Sequence, residues 1–187
     1  MGHLRGRVGG EVFGNSIACE LDGNSITGRF GGRVIGKDLN LQWDRDSGRL
    51  TGRYGGVVGG KDIDVLVSDG RLKGRAGGII DGADLDLEMI GKVRVRGRIG
   101  GEVIGFSVDL EVAARVDDAG NGNGKGNGNG NLVGRLGGGL FGHDARLALD
   151  DFPVLVAAGL AAAVYFEWRR SRRGSGGSHG GSNSGGD

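Results

Sequence analysis

The sequence predicts an all-β fold: an antiparallel meander of about twelve strands, built from repeats in barrel-like or sandwich form, followed by one C-terminal apolar helix. Three observations predict it. The string Gly-Arg-apolar-Gly-Gly recurs six times, starting at Gly6, Gly28, Gly52, Gly74, Gly97 and Gly134. Inside each copy apolar residues alternate with polar ones, as Leu85, Leu87 and Met89 do with Asp84, Asp86 and Glu88. That period of two belongs to a strand with one buried face. Near the C-terminus, FPVLVAAGLAAAVYFEW (152–168) is apolar on every side, as only an enclosed or membrane-embedded helix is.

The repeat reads L-x-G-R-h-G-G-x-h-h-G-x-D-h-x-h-x-h, with h apolar, so each copy supplies two strands and forms a β-hairpin. Turn chemistry falls within units at Gly14-Asn15 and Gly36-Lys37, and between units at Asp22-Gly23-Asn24 and Asp69-Gly70. The low-complexity run GNGNGKGNGNGN (120–131) reads as a flexible insert between the fifth and sixth copies. The expected organisation is a hairpin-repeat domain over 1–151, an apolar helix with a basic end over 152–173, and a disordered Gly/Ser tail over 174–187.

A parallel β-solenoid is the alternative arrangement of the same repeats. It would stack Arg7, Arg29, Arg53, Arg75, Arg98 and Arg135 in a column of like charges about 4.8 Å apart. In the meander, pairing Val67 with Leu72 and Met89 with Val95 sets Asp64 opposite Arg75 and Asp86 opposite Arg98. Asp109 and Arg135 hold the matching places across the insert. Each facing pair of opposite charges is worth about 0.2–1 kcal/mol and helps fix register, so the meander is favoured. Joining the last strand to the first in the same register would set Arg146 against Arg7. Any closure is therefore expected in a shifted register. Glycines such as Gly6, Gly28, Gly52 and Gly74, on the apolar face, leave room for a close neighbour and permit coiling.

For the helix, the uncharged part (152–166) would be about 22 Å long, short of a bilayer core of about 30 Å. The RRSRR cluster after it makes either membrane topology awkward. Burial against the sheet is the favoured expectation, with membrane association through 152–173 as the alternative. The single Cys19, at an inward strand position, and an N-terminus without a secretory apolar stretch point to a cytoplasmic protein.

The chemistry is sparse. A net charge of +1 with 25% charged residues excludes a charge-driven disordered chain and a globally basic coat protein. His3, His143 and His179 lie in separate contexts, His143 as a turn residue. The G-x-D-h-x-L ending of GGRVIGKDLNL departs from calcium-binding nonapeptides by two extra residues, Val34 and Ile35. No catalytic residue, cofactor or metal site is expected. The leading function is a non-enzymatic structural scaffold or interaction module, with an unknown protein partner or self-association into a small oligomer. The alternative is binding of single-stranded or duplex DNA through Arg5, Arg7, Arg29, Arg53, Arg169, Arg170, Arg172 and Arg173; a low aromatic content (5%) limits base stacking.

Overall fold

The alternation and turn signals place twelve strands, and the computed structural model describes residues 1–9, 14–32, 36–55, 60–78, 81–101, 105–113, 129–138 and 142–174. The strands are β1 (Gly2–Val8), β2 (Asn15–Asp22), β3 (Ser25–Gly31), β4 (Gly36–Asp44), β5 (Arg49–Tyr54), β6 (Lys61–Ser68), β7 (Arg71–Ala76), β8 (Ala83–Ile90), β9 (Arg94–Gly100), β10 (Gly105–Ala113), β11 (Gly130–Leu136) and β12 (His143–Asp150). Each pairs antiparallel with its neighbours in sequence, and β12 pairs with β1, closing a barrel. The solenoid alternative is thereby overturned.

Register follows the repeats: Val67 faces Leu72, Met89 faces Val95, and Asp64, Asp86 and Asp109 stand opposite Arg75, Arg98 and Arg135. Two-residue turns such as Asp69-Gly70, both with positive φ (52° and 72°), connect the units with the twist that hairpins favour. The ion pairs close within the hairpins: Asp64 accepts from Arg49, Asp86 from Arg71 and Lys73, and Asp109 from Arg94 and Arg96.

The closing seam corrects the expectation of a shifted register, because Arg7 faces Arg146 directly. Six residue pairs join β1 to β12, burying Leu4, Val8, Ala145, Leu147 and Leu149. Burying even one such side chain is worth about 1.5–3 kcal/mol, against about 0.2–1 kcal/mol for an exposed charge pair. The apolar register therefore wins.

The helix α1 (Val154–Gly174) takes in the RRSRR cluster, so those arginines belong to its last turns rather than to a segment after it. It lies along the lumen: Val156, Ala157, Ala158, Ala161, Ala162 and Tyr165 are fully buried, and strands on opposite sides of the barrel, β1 and β7 among them, contact it. No helix among the described residues is long and apolar enough to cross a membrane. The repeat glycines serve the wall instead of making room for this helix. A Cβ on Gly52, at φ +152°, would collide with Asn40 and Leu41 of the paired strand, and Gly74 meets Asp64 and Val65 in the same way. Strand β11 begins at Gly130, so the last two residues of the Gly/Asn run are strand; 114–128, like the tail from 175, lie outside the described residues.

Candidate functional site: the barrel mouth and the arginine wall

The chain crosses from β12 into α1 at the end of the barrel that carries the inter-unit turns, and α1 emerges at the other end, beside the Gly-Gly connections. The ninth residue after each repeat Gly is the first inward position of the second strand of its hairpin. Asn15, Lys37, Lys61, Ala83, Phe106 and His143 therefore ring this mouth. The ring meets the last inward turns of α1.

On one side the ring is cationic. Glu167, 7% exposed in its side chain, accepts from Lys37 Nζ at 2.6 Å and from Lys61 Nζ at 2.7 Å. The Tyr54 hydroxyl donates at 3.5 Å to Oε1, the oxygen that also accepts from Lys61. Lys61 also contacts Asp81 at 3.0 Å, and Asp81 holds Arg170 at 2.9 Å, so two carboxylates and three cations form one chain of contacts. Arg170 further donates to the Asp81 carbonyl. Burial opposes the Glu167 charge, but the two lysines outweigh it and leave its pKa lowered. Asp81 is held at about 2, first by its hydrogen bond from Lys61 and then by the nearby charges. Burial, then the Glu167 charge, raises the pKa of the Tyr54 phenol.

On the other side the ring is aromatic. Phe106 packs edge-on to Tyr165 at 5.3 Å and His143 packs edge-on to Trp168 at 4.6 Å. His143 is thus a strand residue in an aromatic collar, not a turn residue. Burial, then the charges of Arg169, Arg172 and Arg135, lowers its pKa. Arg169 stacks over Phe106 at 5.5 Å and Arg172 over Trp168 at 5.2 Å, contacts that suit a guanidinium. Buried Tyr165 Oη, His143 Nδ1 and Arg169 Nε have no hydrogen-bond partner among the described residues.

The arginines expected to contact anions thus divide into groups. Arg169 and Arg170 are bound to the rim through Phe106 and Asp81, Arg172 packs on Trp168 of its own helix, and Arg173 lies in the last turn of α1. The repeat arginines clamp their own hairpins. Arg7, Arg53 and Arg135 each donate to the carbonyl seven residues on, at Gly14, Gly60 and Gly142. Arg29, Arg53, Arg75 and Arg135 each meet the Asp nine residues on, at 2.7, 3.8, 2.6 and 3.8 Å. That Asp is Ser16 in the first hairpin and Ser107 in the fifth. Arg5, exposed on β1, has no carboxylate within ion-pair reach among the described residues. The mouth residues Lys37, Lys61 and Glu167 escaped the sequence reading. Their signal was the variability of one repeat position and a lone acid in an apolar helix.

Compared with protein-family models, with curated proteins and with solved structures, the chain gives no match in any of the three.

Proposed function

We propose that the protein is a non-enzymatic interaction module, a barrel filled by its own helix that meets partners through its outer wall and its helix-exit end. The observation that carries this reading is the occupied lumen. The void left beside Gly159, bounded by Leu50, Ile63, Leu72 and Leu160, measures about 10 Å³, which is far below the several hundred Å³ of a small-molecule site. The helix is also held at its exit by Glu167 and Arg170, so the lumen is closed by design of the sequence. The outer wall, with Arg49, Asp62, Asp64, Lys73, Asp84 and Asp86 exposed along it, reverses the apolar band of a lipid-facing barrel and suits work in water.

Native-state hydrogen exchange tests the reading. Amides of α1 from Val156 to Val164 should exchange only through global unfolding, with the same denaturant dependence as core strands. Exchange of α1 through a smaller opening, while β1–β12 stay protected, would show a lumen that empties and would refute it.

A further inference from the structure

We propose that His143 gates the Trp168 indole: the neutral ring closes the aromatic side of the mouth over it, and a proton on His143 expels the indole into water while Glu167 keeps α1 in place. This rests on the reading that the helix-exit end meets partners, and adds its regulation. His143 is held against two rings of α1, Trp168 at 4.6 Å with the planes 83° apart and Tyr165 at 6.0 Å. Its Nδ1 is buried and has no hydrogen-bond partner among the described residues. Tyr165 Oη, the hydroxyl of the collar, is also unpaired among them, so it does not serve as the acceptor. A neutral imidazole carries N–H on one nitrogen, whereas the imidazolium carries it on both. Protonation therefore turns a packed ring edge into a buried charged donor with nothing to receive it.

The charges around the ring oppose that proton, with one exception. Among the described residues they are Arg169 and Arg172 from α1, Arg135 from β11, and Asp144 from its own strand. Asp144 stands 3.8 Å from Arg135, so its charge is shared. Arg172 lies over the Trp168 ring and Arg169 over Phe106, so an imidazolium would enter a collar whose rings already carry two cations. Burial, then these arginines, already hold the His143 pKa below its ordinary value. The ionic side of the mouth responds to acid only later. The Glu167 pKa is lowered and Asp81 is held at about 2, so between about pH 6.5 and 5 both stay charged and anchor α1. Trp168 gives way because it is the last buried residue of α1: Arg169 after it is half-buried and Arg170 exposed. An indole released beside arginines is the kind of anchor on which protein interfaces are built.

The test is acrylamide quenching of the full chain carrying Trp43→Phe, which leaves Trp168 as its one indole, at pH 7.5 and at pH 5.0. With the indole out, His143 regains its ordinary pKa of about 6.5, so the released population grows as pH falls below that value, by up to about 30-fold over this range. The quenching constant should rise with it. In the same background His143→Phe and His143→Asn should each lose the pH dependence, whatever their starting level, and His3→Gln should keep it. A ring that served only as packing would alter the level and not the dependence on pH. The gate is overturned if the constant is the same at both pH values, if either His143 variant retains the rise, or if His3→Gln removes it. Each of these results leaves the filled-lumen reading standing, since that reading is tested by exchange of Val156 to Val164.

Discussion

Replacing Glu167 by Gln removes the charge that ties α1 to the barrel mouth while keeping the side-chain volume. Lys61 is only 12% exposed, so its charge-assisted bond to Glu167 counts for about 1.5–3 kcal/mol. Lys37 is 38% exposed, and its bond, weakened by water, adds about 0.2–1 kcal/mol. The amide oxygen of Gln still accepts one hydrogen bond, recovering about 0.5–1.5 kcal/mol. The net loss is about 1–3 kcal/mol, which for a chain of this size lowers the melting midpoint by about 2–12 °C.

Acidity supplies the internal control for that variant. The folded pKa of Glu167 lies below its ordinary value, so its contribution is complete at neutral pH. It is lost as pH falls below about 4.3 and through the folded pKa. The gap between wild type and Glu167→Gln should therefore close on acidification, since protonated Glu167 resembles Gln. Asp81, held at about 2, titrates below the pH at which that loss begins. Thermal melts followed by circular dichroism at pH 7 and at a series of acid values measure the gap. Equal midpoints at pH 7, or a gap undiminished in acid, would refute the latch.

Three further outcomes follow from the closed, filled barrel. Arg146→Asp should replace a like-charge pair at the seam by an attractive one with Arg7, raising stability by about 0.2–1 kcal/mol; a lower melting midpoint or end-to-end association on size exclusion would contradict that. Cys19 lies buried in β2, where burial pushes its thiol pKa up to about 12. It should therefore stay silent to a thiol-reactive dye at pH 8 and react fully in denaturant; fast native labelling would show that the wall opens at β2. A chain ending at Asp151 should bind hydrophobic dyes and associate, because Leu4, Leu72, Leu87 and Leu110 lose their cover. A monomeric truncation with the native β spectrum would show that the helix is dispensable.

The wall was legible because two independent periods agree. Alternation assigns each residue a face, and the turn dipeptides set which residues meet, so Val67 against Leu72 could be read directly. Closure is not legible from the exposed Arg7–Arg146 pair alone, because the buried ladder beneath it sets the register. Arg7 and Arg146 can bend into water, but Leu4 and Leu147 have no such alternative. The mouth was illegible for a different reason. Lys37 and Lys61 occupy a position where a turn residue is an adequate explanation, and only a helix threaded past them turns that position into a ligand for Glu167. All-round apolarity of 152–166 pointed to enclosure, but enclosure by the whole wall depends on its circumference. That is a property of all six repeats together.

That circumference also accounts for the composition of α1. Eight strands make a barrel that side chains alone can fill, and wider barrels leave a lumen. Twelve strands sit between a packed barrel and an open channel, so an unfilled lumen would leave inward residues such as Leu41, Leu87 and Leu110 without partners. An α-helix with ordinary side chains is about 10–12 Å across, and one rich in Ala is thinner. Strand twist makes such barrels hyperboloids, narrowest at the waist. The first half of the helix is slender: Ala157, Ala158, Gly159, Ala161, Ala162 and Ala163 flank the buried Leu160, and a Cβ on Gly159 would press on Leu72 at 2.8 Å. Buried Phe152 precedes the helix, and the buried aromatics Tyr165 and Trp168 follow the small-residue run. The small residues that make this segment a poor membrane span are the ones that let a helix fit inside a twelve-stranded wall, with Leu160 the bulky residue among them. The sequence of α1 is therefore complementary to the repeats before it, although it shares no pattern with them.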